Sequence, residues 1–88
     1  MSDSARFEQA QQDVKTLTSR PSNDDLLDLY ALFKQGSEGD VSGKRPGMLD
    51  MVKRAKYDAW AKLKGVSQDD AKSKYVAKVD ALLAADKG

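Results

Sequence analysis

Asp50–Gly65, DMVKRAKYDAWAKLKG, reads as one amphipathic helix with a cation on its apolar side. At about 100° per residue, Val52, Ala55, Ala59 and Leu63 fall in one arc with Trp60 at its edge, and Lys56 projects inside that arc. Two outcomes are open for this lysine. Its stem can lie along the core while the ammonium reaches water, or the ammonium meets an anion brought by something that also covers apolar surface. Gly65 suits the left-handed position that follows a helix.

Upstream of this helix, Gly36–Gly47, GSEGDVSGKRPG, carries four glycines and a proline in 12 residues, too broken for a periodic element. Connections between bundle helices usually take about 2 to 8 residues, so this one crosses some distance and lets its flanking helices run in the same direction. It matches neither glycine-rich phosphate motif, and no strand pattern precedes it. Before it, LLDLYALFKQG from Leu26 has Leu26, Leu29, Tyr30 and Phe33 on one face, widened by Leu27 and Leu32. The apolar arc spans roughly 220°, against the roughly 100° one packing seam requires. Either this is the central helix of a small bundle, or the flank with Leu27, Tyr30 and Lys34 lines a site for a ligand that is apolar at one end and charged at the other. Ser22 and Asp25 form an S-x-x-D start signal for it, with aspartates at its positive end.

The first segment, Asp3–Thr18, repeats Phe7, Ala10, Val14 and Leu17 at helical spacing, with Lys15 at the edge of the stripe. Past Gly65, Ser67 and Asp70 repeat the S-x-x-D signal, and Ala71, Tyr75, Val79 and Leu82 mark a fourth stripe that Val76 and Leu83 widen. The tail, AADKG, is expected to fray. Four helices without a strand signal make an all-α bundle.

Composition narrows the function. A chain of 88 residues is one domain, 1–88, that buries only about 60 to 65% of its unfolded surface, which leaves little room for a deep catalytic cleft. Cysteine and histidine are both absent, removing disulfides, thiolate metal sites and the usual proton-transfer residue near neutral pH. A binding protein is expected rather than an enzyme. No apolar run approaches the roughly 20 residues of a membrane span, and MSDSARFEQAQQ lacks the pattern of a secretory signal, so a cytoplasmic location is expected.

The net charge of +1 hides an asymmetry: Met1–Gly43 has 4 basic and 8 acidic residues, Lys44–Gly88 has 11 and 6. The second half favours an anionic partner. Nucleic acid is a poor candidate, because Lys53, Arg54, Lys56, Lys62 and Lys64 are spread around their helix, Asp50 and Asp58 intervene, and no Asn or Gln addresses base edges. An Arg54–Asp58 pair at i, i+4 is the plain reading of part of this charge. A membrane-surface role for the helix is disfavoured because Trp60 and Leu63 are needed for the core.

Across nearly the whole chain, F-x-x-A-x-x-x-V-x-x-L from Phe7 to Leu17, LYALFKQGSEGD from Leu29 to Asp40, RPGMLD from Arg45 to Asp50 and KRAKYDAWAKLKG from Lys53 to Gly65 resemble the acyl-CoA-binding protein family. Tyr75, Val79 and Leu82 continue the match. The resemblance implies four helices in up-down-down-up order with a long connection between helices 2 and 3, in agreement with the spacing above. It also implies non-covalent binding of a long-chain acyl-CoA thioester, with no cofactor. Lys34 and Lys56 would face the 3′-phosphate, with the Tyr30 hydroxyl nearby and Phe33 flanking the adenine. Lys15 and Tyr75 would complete the ring, and Leu27, Ala31 and Leu32 would belong to the ligand-binding surface.

Two positions depart from the family pattern: Phe33 replaces a frequent tyrosine, keeping the ring but losing the hydroxyl, and Val52 replaces a frequent lysine. The expected function is binding and intracellular transport or buffering of medium- and long-chain acyl-CoA esters by a monomer, with transient contact with acyl-CoA-using enzymes or membranes. The alternative is a helical protein-interaction module in which Leu27, Tyr30 and the third helix receive an amphipathic segment.

Overall fold

The computed structural model describes residues 3–87. The helices are α1 (Asp3–Asp13), extended by a 3-10 turn at Val14–Thr16, then α2 (Asn23–Glu38), α3 (Met51–Ala61) and α4 (Gln68–Lys87). There is no strand among the described residues, and none of these helices is long and apolar enough to cross a membrane. Both serine start signals act as read: Ser22 Oγ accepts the Asp25 N–H and Ser67 Oγ the Asp70 N–H, each at 3.1 Å. The first helix is shorter than its stripe suggests. Thr16 Oγ1 donates to the Asp13 carbonyl at 2.6 Å, the helix tightens to 3-10, and Leu17 is extended at φ −59°, ψ 134°.

Pairs of contacts fix the directions. Ser4 meets Lys72, Phe7 meets Tyr75 and Thr18 meets Asp86, so α1 and α4 run parallel. Asp25 meets Lys78 while Gly36 meets Gln68, so α2 and α4 are antiparallel. Tyr30 meets Lys56 and Lys34 meets Trp60, so α2 and α3 share one direction, as the long connection requires. The result is the up-down-down-up four-helix bundle.

The core lies where α1, α2 and α4 meet. Phe7, Ala10, Leu29, Tyr75, Val76 and Val79 are buried in it, with Val14, Leu32, Phe33, Leu82 and Leu83 packed against them. Gly36 sits at the tightest approach: a Cβ there would stand 3.0 Å from Lys72 Cγ and 3.3 Å from the Phe7 ring. The backbone of α3 packs on α2 and on no other helix.

That single neighbour changes the expected α3 face. Trp60, placed at the edge of the arc, is the buried residue at 8% exposure, whereas Val52 is 70% exposed. The expected Arg54–Asp58 pair is also replaced. Arg45 reaches across from the α2–α3 connection and grips Asp58 with two bonds, Nε to Oδ1 at 2.7 Å and Nη2 to Oδ2 at 2.6 Å, a geometry an i, i+4 arginine does not take here. This guanidinium holds the Asp58 carboxyl below the usual carboxylate range.

The connection and both helix ends are tied by Gln35, which is fully buried. Its Nε2 donates to Asp40 Oδ1 (2.9 Å) and the Val66 carbonyl (2.7 Å), and its Oε1 accepts Trp60 Nε1–H (3.1 Å). Trp60 Nε1–H also reaches the Gly39 carbonyl at 2.9 Å, and Asp40 Oδ1 accepts the Gly65 N–H at 2.9 Å. Gly65 is left-handed at φ +93° as expected, but α3 ends earlier, at Ala61, and a turn through Lys62–Lys64 leads to this glycine.

The expected fraying of the tail is not seen in the described residues: α4 remains helical through Lys87. Asp86 explains it, accepting from Thr18 N–H, Thr18 Oγ1–H (2.8 Å) and Ser19 N–H (3.1 Å) in the α1–α2 connection. The Thr18 backbone bond, first, and then the hydroxyl hold its carboxyl below the ordinary value. A depressed folded pKa contributes stability above the unfolded carboxylate value that is lost as pH falls through the folded one. Wild type is therefore expected to exceed Asp86→Asn in thermal midpoint at neutral pH, with the difference shrinking as pH drops below about 4. A difference independent of pH over that window counts against the clasp.

Candidate functional site between α2 and α3

Two turns of α2 and two of α3 alternate cation and ring across their seam. Lys56 Nζ lies 5.3 Å from the Tyr30 ring centroid, and one turn further along both helices Lys34 Nζ lies 5.0 Å from the Trp60 ring centroid. Because Tyr30 and Lys34 are four apart, as are Lys56 and Trp60, the two cation–ring pairs lie one turn apart along the same seam. Lys34 is also bonded to Glu38 one turn along α2, whereas among the described residues Lys56 has no carboxylate within ion-pair distance. Lys56 is therefore the cation with the more open coordination.

Beside this ladder is a groove of about 640 Å³, within the range of small-molecule sites. Leu26, Leu27, Met51, Val52 and Ala55 supply its apolar lining, and Arg20, Tyr30 and Lys56 its polar margin. Arg20, Leu26, Met51 and Ala55 were not among the expected site residues. The wide arc of the second helix was the signal for Leu26, but nothing in local spacing places Arg20, which arrives from the α1–α2 connection. A second cleft, about 840 Å³, lies on the α4 side of the same helices, and Leu27 and Ala55 line both. Half of its charged margin is committed internally, Asp58 to Arg45 and Lys78 to Asp25 and Asp28.

The expected site residues therefore separate into groups. Leu27, Tyr30 and Lys56 meet at the smaller groove, and Lys34 lies one turn along the same seam. Ala31 and Leu32 line the cleft toward α4. Phe33 and Tyr75 pack with Phe7 at the α1 side, the Phe33 centroid 6.0 Å from Phe7 and 6.5 Å from Tyr75, and burial pushes the Tyr75 hydroxyl pKa up. Lys15 is exposed on the 3-10 turn.

Chemically, the α2–α3 seam can hold a compact anion between ammonium groups while apolar side chains cover an oily segment alongside. Among the described residues no group of His, Cys, Asp or Glu is arranged to hold a metal ion.

Comparison with known proteins agrees with this architecture. Residues 4–79 match the family model described as acyl CoA binding protein. The acyl-CoA-binding protein homolog of Manduca sexta is 52% identical over 85 residues, 96% of this chain and 94% of the relative. Homolog 1 of Caenorhabditis elegans is 53% identical over 78 residues, 89% and 91% of the two chains. The crystal structure of Oryza sativa Acyl-CoA-Binding Protein 2 superposes with a TM-score of 0.93 at 37% identity, covering 98% of this chain and 94% of that one. These relatives are named as acyl-CoA-binding proteins. With a family model spanning most of its length, relatives of about half identity and the same four-helix bundle, this chain belongs to the acyl-CoA-binding protein family.

Proposed function

We propose that this chain binds medium- and long-chain fatty acyl-CoA esters without covalent chemistry and carries or buffers them in the cytoplasm as a monomer. The observation that carries the reading is the placement of Lys56 over Tyr30, with Lys34 one turn on, beside an apolar groove. In this reading the 3′-phosphate lies against Lys34 and Lys56 with Tyr30 between them, and the acyl chain lies over Leu27. Ala31 and Leu32 back the seam, while Phe33, Tyr75 and Lys15 receive the nucleotide from the α1 side. No cofactor takes part. Transient contact with acyl-CoA-using enzymes or membranes completes the cycle of loading and release.

Magnitudes assign the roles. Each CH₂ removed from water contributes about 0.8 kcal/mol, so a long chain outweighs a pair of partly solvated lysine–phosphate contacts. Chain length then sets affinity, and the phosphate contacts set orientation and discriminate against free fatty acid.

Trp60, the only tryptophan, lies beneath Lys34 and reports on the seam. Titrating palmitoyl-CoA, coenzyme A and palmitate while following its fluorescence is expected to give tight binding of the thioester and much weaker binding of either fragment. Palmitate binding as tightly as palmitoyl-CoA, or no response to any of the three by fluorescence and calorimetry, overturns the reading. A partner helix has no need of the paired lysines, so the interaction-module alternative predicts that last result.

A further inference from the structure

Met48, Leu49, Met51 and Val52 are 78, 102, 76 and 70% exposed, four large apolar side chains within five residues. They are not a loose loop. The Asp50 N–H bonds the Gly47 carbonyl at 3.1 Å and the Arg54 N–H bonds the Asp50 carbonyl at 2.8 Å, so a turn runs directly into α3 and presents them as a fixed tip. With α3 packed on α2 alone, no other helix covers this tip. Contiguous exposed apolar surface of this kind calls for a partner.

Charge identifies it. Between Lys44 and Lys56 stand five basic residues, Lys44, Arg45, Lys53, Arg54 and Lys56, and one acidic residue, Asp50. Arg45 is neutralised by Asp58, but among the described residues Lys44, Lys53 and Arg54 are in no ion pair. Protruding apolar side chains flanked in sequence by uncommitted cations are complementary to an interface with apolar depth and diffuse negative charge. Methionines adapt to fluid surroundings, lysine stems reach along the headgroups, and clustered basic residues are drawn to anionic lipids. Buried Trp60 and half-buried Leu63 keep the later turns of α3 against the protein, whereas its first turn is exposed.

We propose that the tip Met48–Val52, flanked in sequence by Lys44, Lys53 and Arg54, is a docking surface for an anionic lipid bilayer. Met51 and Val52 also line the α2–α3 groove, so docking brings its mouth to the lipid surface. The docking itself does not depend on what the groove holds.

The test is co-sedimentation of the full chain with vesicles of phosphatidylcholine alone, and of two parts phosphatidylcholine to one part phosphatidylserine. Binding is expected only to the anionic vesicles, weakening steeply with salt and about tenfold in Leu49→Asp and in Lys53→Glu. Because the chain has no cysteine, Leu49→Cys carries a single environment-sensitive fluorophore, whose emission is expected to shift to the blue on those vesicles. Absence of wild-type binding to anionic vesicles would assign the tip to a protein partner and overturn the proposal. Wild-type binding by Leu49→Asp, or a fluorophore that stays in water, overturns it equally. Calorimetry with octanoyl-CoA on wild type and Leu49→Asp separates the two readings. Equal affinity is expected, and a wild type that ignores octanoyl-CoA yet binds vesicles sinks the ligand reading alone.

Discussion

Lys56→Glu is expected to weaken palmitoyl-CoA binding by roughly a hundredfold to a thousandfold, with little change in the midpoint of thermal unfolding. Losing a charge-assisted bond to phosphate costs about 1.5 to 3 kcal/mol, and placing a carboxylate at the same point adds repulsion, for a total of about 3 to 4 kcal/mol. Lys56→Met, which removes only the attraction, should cost about 2 kcal/mol. The fold has little at stake: Lys56 is exposed, and its contact with the Tyr30 ring is worth about 0.5 to 1 kcal/mol. Lys34→Met is expected to cost less in binding, because the Lys34 ammonium is already shared with Glu38. Calorimetric titration alongside thermal unfolding checks all three. An unchanged dissociation constant for Lys56→Glu means that the ammonium merely reaches water, the first of the two outcomes left open by the sequence.

Gln35→Leu is expected to destabilise the protein by about 3 kcal/mol in urea unfolding, a large share of the stability of a chain this size. The replacement is close in volume, so the loss is polar in origin. It leaves the Val66 carbonyl and Asp40 Oδ1 without the Gln35 donor and Trp60 Nε1–H with only the Gly39 carbonyl. Trp60 emission should change with it. A loss under about 1 kcal/mol would mean that water takes over the vacated bonds.

The two serine caps made the starts of α2 and α4 readable, because capping is a local interaction within three residues. The length of the glycine-rich connection gave the shared direction of α2 and α3, and the odd position of Lys56 in its arc pointed to their seam. Gln35 escaped notice because its partners, Asp40, Trp60 and Val66, come from three other segments and hydropathy treats it as a surface residue. Val52 belongs to the inward arc only if α3 has neighbours on a full arc, and its backbone packs on one helix, α2. The Arg45 grip on Asp58 and the Asp86 clasp likewise join segments whose proximity only the folded chain reveals. Of the expected site residues, those on α2 and α3 that share the seam could be grouped by helical spacing. Spacing within α2 could not tell that Phe33 looks toward Phe7 while Tyr30 looks toward Lys56.

Because α3 leans on α2 alone, it forms a flap rather than a pillar. Detaching it leaves the three-helix core of Phe7, Leu29, Tyr75 and Val79 intact, and the free energy of that partial opening lies below that of global unfolding. Backbone amides of α3 should therefore exchange with deuterium well before those of α4. A molecule bound across the seam would suture the flap shut, slowing α3 selectively, so that occupancy of the seam would be read as the quieting of the α3 amides.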